Sequence, residues 1–187
     1  MRLRTILITV FLATSGTALA DSIDISLSND SAQAIYATDW RTAEFNMGVL
    51  YNNDKNNGQN DWVASAGLLA QGEQQSGGSR IEAGLGGKTY LASIGNQDLL
   101  ALGLGGQLRV FPNNGIFGIG GYVFYAPDIV TVMDGKKFWE TGVRAEMEII
   151  KKTASLYLGY RKVRADLDNG THVVIDKGAH AGVKILF

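Results

Sequence analysis

The chain has no cysteine and only two prolines in 187 residues. Without thiols, neither a disulfide framework nor a thiolate metal site is possible. Charge of one sign is also missing. Seventeen Lys and Arg face eighteen Asp and Glu, for a net charge of −1. That balance leaves no electrostatic footprint for nucleic acid. Beyond residue 20 no apolar run approaches the roughly 20 residues that a membrane-spanning helix requires. Yet 45% of the residues are hydrophobic and 24 are glycine. A chain of this kind can still enter a bilayer if its apolar residues alternate along strands.

The first 20 residues stand apart from the rest. Arg2 and Arg4 precede an apolar stretch from Ile6 to Ala13, and Ala18-Leu19-Ala20 leads into Asp21. This order of charged, apolar and small residues is that of a cleaved secretory signal peptide. Residues 21–187 then form one domain, and about 167 residues are too few to divide comfortably into two.

The remaining sequence reads as successive strands separated by turn signals. They fall at about Ser22–Ser28, Ala32–Ala37, Arg41–Asn52, Trp62–Gln71, Arg80–Ala92, Leu99–Phe111, Ile116–Ala126, Phe138–Ile150, Ala154–Arg164 and Gly178–Phe187. The last is the clearest. Ala179, Ala181, Val183, Ile185 and Phe187 alternate with Gly178, His180, Gly182, Lys184 and Leu186. A period of two with one apolar face marks a β-strand. Connections alternate between tight (Asp39-Trp40, Pro112–Gly115, Lys151–Thr153) and long (Asn53–Asp61, Pro127–Lys137, Ala165–Lys177). Short inner turns and longer outer loops belong to outer-membrane barrels. Gly72–Ser79 is long for an inner turn, and Asn29–Ser31 is short for an outer loop. The expectation is therefore an all-β, transmembrane, antiparallel up-and-down β-barrel of ten strands. Eight strands, with Ser22–Ala37 unpaired, are the alternative. Both termini would face the periplasm.

The polar faces indicate which side meets lipid. Leu100, Leu102, Leu104, Leu108 and Val110 lie opposite Ala101, Gly103, Gly105, Gln107 and Arg109. Isolated long charged residues among glycines suit a crowded interior better than a solvated surface. Aromatic residues fall near strand ends: Tyr51, Trp62, Tyr125 and Trp139 at the outer end, Trp40, Phe111 and Phe187 at the inner end. Two such girdles fit a bilayer with two headgroup regions.

Several segments from about Trp62 to Phe187 add a family resemblance. They are G-L-G-G-K, L-G-L-G-G-Q-L, G-Y-V-F-Y-A-P-D, E-T-G-V-R-A-E, L-Y-L-G-Y-R and the aromatic C-terminus. Together they resemble the YfaZ family of Gram-negative envelope proteins, with Tyr122–Asp128 the most specific part. The resemblance implies an outer-membrane, porin-like barrel and supplies no substrate and no catalytic residue.

With apolar faces outward, the lumen receives Glu44, Glu82, Lys88, Gln107, Arg109, Glu140, Arg144, Glu146, Glu148, Arg161, His180 and Lys184. Five carboxylates and five fixed cations predict an ion-pair network, because a charge in a narrow interior is costly unless paired. Barrels of about eight strands are filled by side chains, and open channels need about sixteen. Ten strands allow at most a narrow or gated path for small solutes. A structural barrel, or one binding other surfaces through its outer loops, is the alternative. An outer-membrane lipid-modifying enzyme or protease stands behind it. His172 follows Asp166 and Asp168 in D-L-D-N-G-T-H, but the bidentate Glu of a calcium loop is absent downstream. There is no G-x-S-x-G and no H-E-x-x-H. No catalytic residue, metal or cofactor is expected. The expected partners are outer-membrane lipid, lipopolysaccharide, and the barrel-assembly machinery, which would read the final strand through Phe187. A monomer is expected.

Overall fold

The computed structural model describes residues 21–54 and 59–187. The signal segment expected over residues 1–20 lies outside them. Among the described residues eleven strands form: β1 (Asp21–Leu27), β2 (Ser31–Trp40), β3 (Ala43–Asp54), β4 (Gln59–Ser76), β5 (Ser79–Ile94), β6 (Gln97–Phe111), β7 (Phe117–Ala126), β8 (Thr131–Met133), β9 (Gly135–Ile150), β10 (Ala154–Leu167) and β11 (His172–Leu186). All but β8 form one closed antiparallel ring. Consecutive strands pair, β7 passes over β8 to pair with β9, and β1 closes on β11. Closure leaves no unpaired edge around the ring. Asp21 and Phe187 exchange both backbone hydrogen bonds at the seam, at 3.0 and 2.8 Å. The end of the barrel that carries these residues is called the terminus end below, and the opposite end the distal end.

Ser22–Ala37 supplies β1 and β2 of the ring, which decides for ten strands over eight. The connections differ from expectation in three places. Gly72–Ser79 is not a loop: β4 and β5 continue to a two-residue turn at Gly77-Gly78, with φ of 57° and 78°. Two successive positive φ values make the tight hairpin turn that glycine best tolerates. Ala165–Lys177 is not a long loop either. β10 and β11 extend through most of it, and Leu167 N–H donates to Thr171 O at 2.9 Å. A register shift opposite Val163/Arg164 leaves Ile175 as an extra residue in β11. Both Ile175 and Asp176 are buried. This bulge breaks the period of two and made the segment read as irregular. Pro127–Lys137 carries the extra strand β8, which pairs with Leu99–Ala101 of β6 beyond the end of β7.

The alternating faces are separated cleanly. Ile23, Ile25, Val49, Leu85, Leu104, Val143, Leu158 and Ile185 are exposed on the outer wall. Ser22, Ser26, Asn46, Lys88 and Glu140 are buried within. A soluble barrel would place these two sets the other way round. Glycine at two register partners sets how closely the wall strands approach. A Cβ on Gly86 would lie 2.1 Å from Leu68 O, and one on Gly105 2.0 Å from Val123 O.

Candidate functional site

The barrel interior is built in two halves. The terminus-end half is charged. Arg109 on β6 places Nη2 at 2.5 Å and Nε at 2.9 Å from the Glu146 carboxylate, and Nη1 at 2.6 Å from Glu82. Arg80 donates to Glu82 at 3.0 Å and also bonds Glu148. Arg144 joins Glu146 (2.7 Å) to Asp24 (3.0 Å), and Asp24 accepts from the Tyr157 hydroxyl. One unbroken chain thus runs Glu148–Arg80–Glu82–Arg109–Glu146–Arg144–Asp24–Tyr157, tying together β5, β6, β9, β1 and β10. Gly120 pairs in register with both Arg109 and Arg144 and brings no side chain between them, and the Glu146 carboxylate fills that gap.

The expected charges do not form a single network. Lys88 and Glu140 pair separately at 3.0 Å, and Glu140 also accepts from Tyr90 Oη at 2.6 Å. Arg161 forms a third cluster with Asp176 (2.6 Å), Ser26, Ser31 and Gln33. Glu44 takes its hydrogen bonds from the amides of Asn46 and Gln71 instead of a cation. His180 sits edge-on to Tyr157 and makes no ion pair among the described residues. Lys184 likewise makes no ion pair and no hydrogen bond among them.

Sequence reasoning missed Arg80, Asp24 and Asp176. Arg80 and Asp24 share the inward parity of Glu82 and Ser22, so alternation could have found them. Asp176 was hidden by the bulge.

Phe111 requires a correction. It was expected in the inner aromatic girdle, but it is fully buried and points into the barrel. The Arg80 guanidinium lies 4.1 Å and the Arg109 guanidinium 5.2 Å from its ring centroid. Its parity matches Arg109 and Gln107, and two cations over its face explain the inward placement. Trp40, Tyr51, Trp62, Trp139 and Phe187 are exposed on the outside. Tyr125, their partly buried neighbour, stacks on its register partner Trp139 with centroids 4.1 Å apart.

The distal half of the interior holds, beside the Arg161 cluster, a large apolar cluster that was not foreseen. Leu50, Val63, Tyr90, Ala92, Leu99, Phe124, Phe138, Val163 and Ile175 pack there as one buried cluster. Free space falls accordingly along the axis. A cavity of about 340 Å³ opens at the terminus end, between Glu44, Glu82, Arg109, Arg144 and Lys184. A mid-barrel space of about 80 Å³ adjoins Lys88 and Glu140. Between Tyr90, Phe138 and Val163 only about 10 Å³ remains, room for roughly one water. The interior is a blind vestibule beneath a packed plug.

At the distal rim His172 Nδ1 lies 2.7 Å from Asp166 Oδ1, and Arg164 binds the same carboxylate. Burial raises the Asp166 carboxyl, but hydrogen bonds from Arg164 and His172 outweigh it and hold the group below its ordinary range.

No protein-family model matches the chain, and no curated protein matches it. Among solved structures the chain is similar to the outer membrane channel DcaP of Acinetobacter baumannii, at 14% identity and a TM-score of 0.38. The match covers 93% of this chain and 55% of that one, so the chain spans about half the channel's length. The closed ring, the apolar outer wall and the polar vestibule within it are those of a membrane β-barrel.

Proposed function

We propose that this chain is an integral outer-membrane β-barrel, porin-like in architecture, with at most a narrow, gated path for small solutes. The observation that carries the reading is the apolar plug. Tyr90, Phe124 and Phe138 fill the distal interior above a charged vestibule, where an open pore would have water. Passage of even a small ion would require the aromatic rings to move and the Lys88–Glu140 pair to part. In this reading the chain is also a member of the YfaZ family.

In this reading the signal segment is cleaved after Ala20 and the terminus end faces the periplasm. The outer wall contacts lipid and lipopolysaccharide, the assembly machinery reads the final strand through Phe187, and the barrel is a monomer. In this reading the barrel is not an enzyme. An unchanged lipid-A mass profile on overexpression is the expected result, and a new lipid-A species would overturn that part.

The same plug favours a second reading, a structural or surface-binding barrel that never conducts. Single-channel recording in planar bilayers separates the two. Rare, small openings support the gated path, and complete silence under all voltages supports the structural barrel.

A further inference from the structure

The terminus-end vestibule contains polar groups left without protein partners. Ser155 is 4% exposed and Ser22 6% exposed. Neither hydroxyl makes a hydrogen bond among the described residues, and both line the cavity of about 340 Å³. Lys184, the register partner of Ser155, lines the same cavity and is likewise unpaired. Arg144 also faces it. Arg144 uses Nε on Glu146 and Nη1 on Asp24, which leaves Nη2 free.

The charged groups that act on Lys184 are Arg109 and Arg144, which repel it, and Glu44, Asp24 and Asp39, which attract it. None of the three carboxylates forms an ion pair with it. Asp24 is held by Arg144 and Tyr157, and Glu44 by the amides of Asn46 and Gln71. On the facing wall, Glu82 and Glu148 are neutralised by Arg80 and Arg109. A partly buried ammonium beside two guanidinium groups, with no direct ion pair among the described residues, is an unfavourable arrangement. An anion entering the cavity would relieve it, and two buried hydroxyls stand ready to donate.

We propose that the vestibule binds a small oxyanion, a carboxylate or phosphate group, through Lys184 Nζ, Arg144 Nη2 and the hydroxyls of Ser22 and Ser155. The site rests on the reading of the barrel as closed at its distal end, so the ligand enters and leaves by the terminus end. Two cations and two hydroxyls converging on one space form a recognition set for a group with several acceptor oxygens. The size of the cavity limits the rest of the ligand to a small molecule.

The test uses the mature chain refolded in non-ionic detergent. Inorganic phosphate and, separately, acetate are titrated calorimetrically. In parallel, acetylation of Lys184 by acetic anhydride is followed by mass spectrometry, with the exposed Lys177 as reference. Saturable binding of one or both anions is expected, with Lys184 protected and Lys177 not. Phosphate alone marks a phosphoryl ligand, and acetate alone a carboxylate. Lys184→Gln should weaken binding about tenfold or more. Lys184→Arg should retain most of it, and Lys177→Gln should change nothing. Absence of Lys184 protection by either anion would overturn the site, as would unaltered affinity in a folded Lys184→Gln barrel. Heat-modifiable gel migration reports folding. If Lys184→Gln does not fold, the protection measurement on the unmutated chain decides. Binding is read without any membrane current, so failure of this site and failure of the closed-barrel reading are distinguishable.

Discussion

Tyr90 on β5 and Phe138 on β9 meet across the barrel interior, with ring centroids 4.4 Å apart and planes tilted by 34°. The two strands are three places apart in the ring, with β6 and β7 between them. Directly below, Lys88 and Glu140 repeat the crossing at 3.0 Å, and Tyr90 Oη donates to the same Glu140. An aromatic contact, a hydrogen bond and an ion pair thus brace the barrel at mid-height and close it. Aromatic pairs contribute about 0.5–1.5 kcal/mol beyond the area they bury. Filling the interior therefore stabilises the barrel and blocks it at once.

Removing the plug should expose that link. Phe138→Ala deletes a fully buried ring and should destabilise the barrel by about 3–5 kcal/mol. The double variant Tyr90→Ala/Phe138→Ala should also conduct. Urea unfolding in lipid vesicles measures the first effect and planar-bilayer recording the second. A stable double variant that remains silent would place the barrier elsewhere.

The brace below should behave as a coupled pair. Lys88→Met leaves Glu140 buried without its cation and should cost about 3–5 kcal/mol. Lys88→Met/Glu140→Gln should cost clearly less than the sum of the single changes. A double-mutant cycle from equilibrium unfolding checks this, and strict additivity would show that the pair is not energetically coupled.

Widening the vestibule alone should not open a path. Arg109→Ala breaks the charge chain between Glu82 and Glu146, but leaves the distal plug intact. The expected result is lower stability with no gain in conductance. A large current from this single variant would mean that the charged half, not the aromatic plug, limits flow.

Facing can be tested on one strand. Leu104 is 68% exposed on the outer wall, whereas Gln107 lines the interior. An Arg at the lipid midplane costs about 2–4 kcal/mol. Leu104→Arg should therefore impair folding into bilayers far more than Gln107→Arg. The reverse order would contradict an outward apolar wall.

Assembly offers a similar contrast at the terminus. Phe187 is exposed at the seam, and Leu186 lines the vestibule. Phe187→Ser should lower barrel yield in the outer membrane more than Leu186→Ser, as judged by heat-modifiable gel migration of envelope fractions. Equal yields would remove Phe187 as the recognition residue.

Alternation carried most of the fold. The faces of β3, β5, β6 and β11 could be read from residues such as Val49, Leu85, Leu104 and Val183, because a period of two records which side of a wall is apolar. It failed where the period breaks. The bulge at Ile175–Asp176 disguised the distal part of β11 as loop, and the polar run Gly72–Ser76 hid the end of β4. Phe111 was misplaced because nearness to a strand end was given more weight than parity. The plug could not have been read from alternation at all. Tyr90 and Phe138 each sit on an inward face, but only the curvature of the wall across β6 and β7 brings their side chains together. For the same reason the charges were foreseen as inward-facing while their division into three clusters was not.

The closed interior is the central claim, and the current through the unmutated barrel tests it most directly. Refolded protein reconstituted into planar bilayers should show no steady conductance, and at most brief, small openings. Large, continuous currents from every inserted barrel, like those of a general diffusion pore, would contradict it.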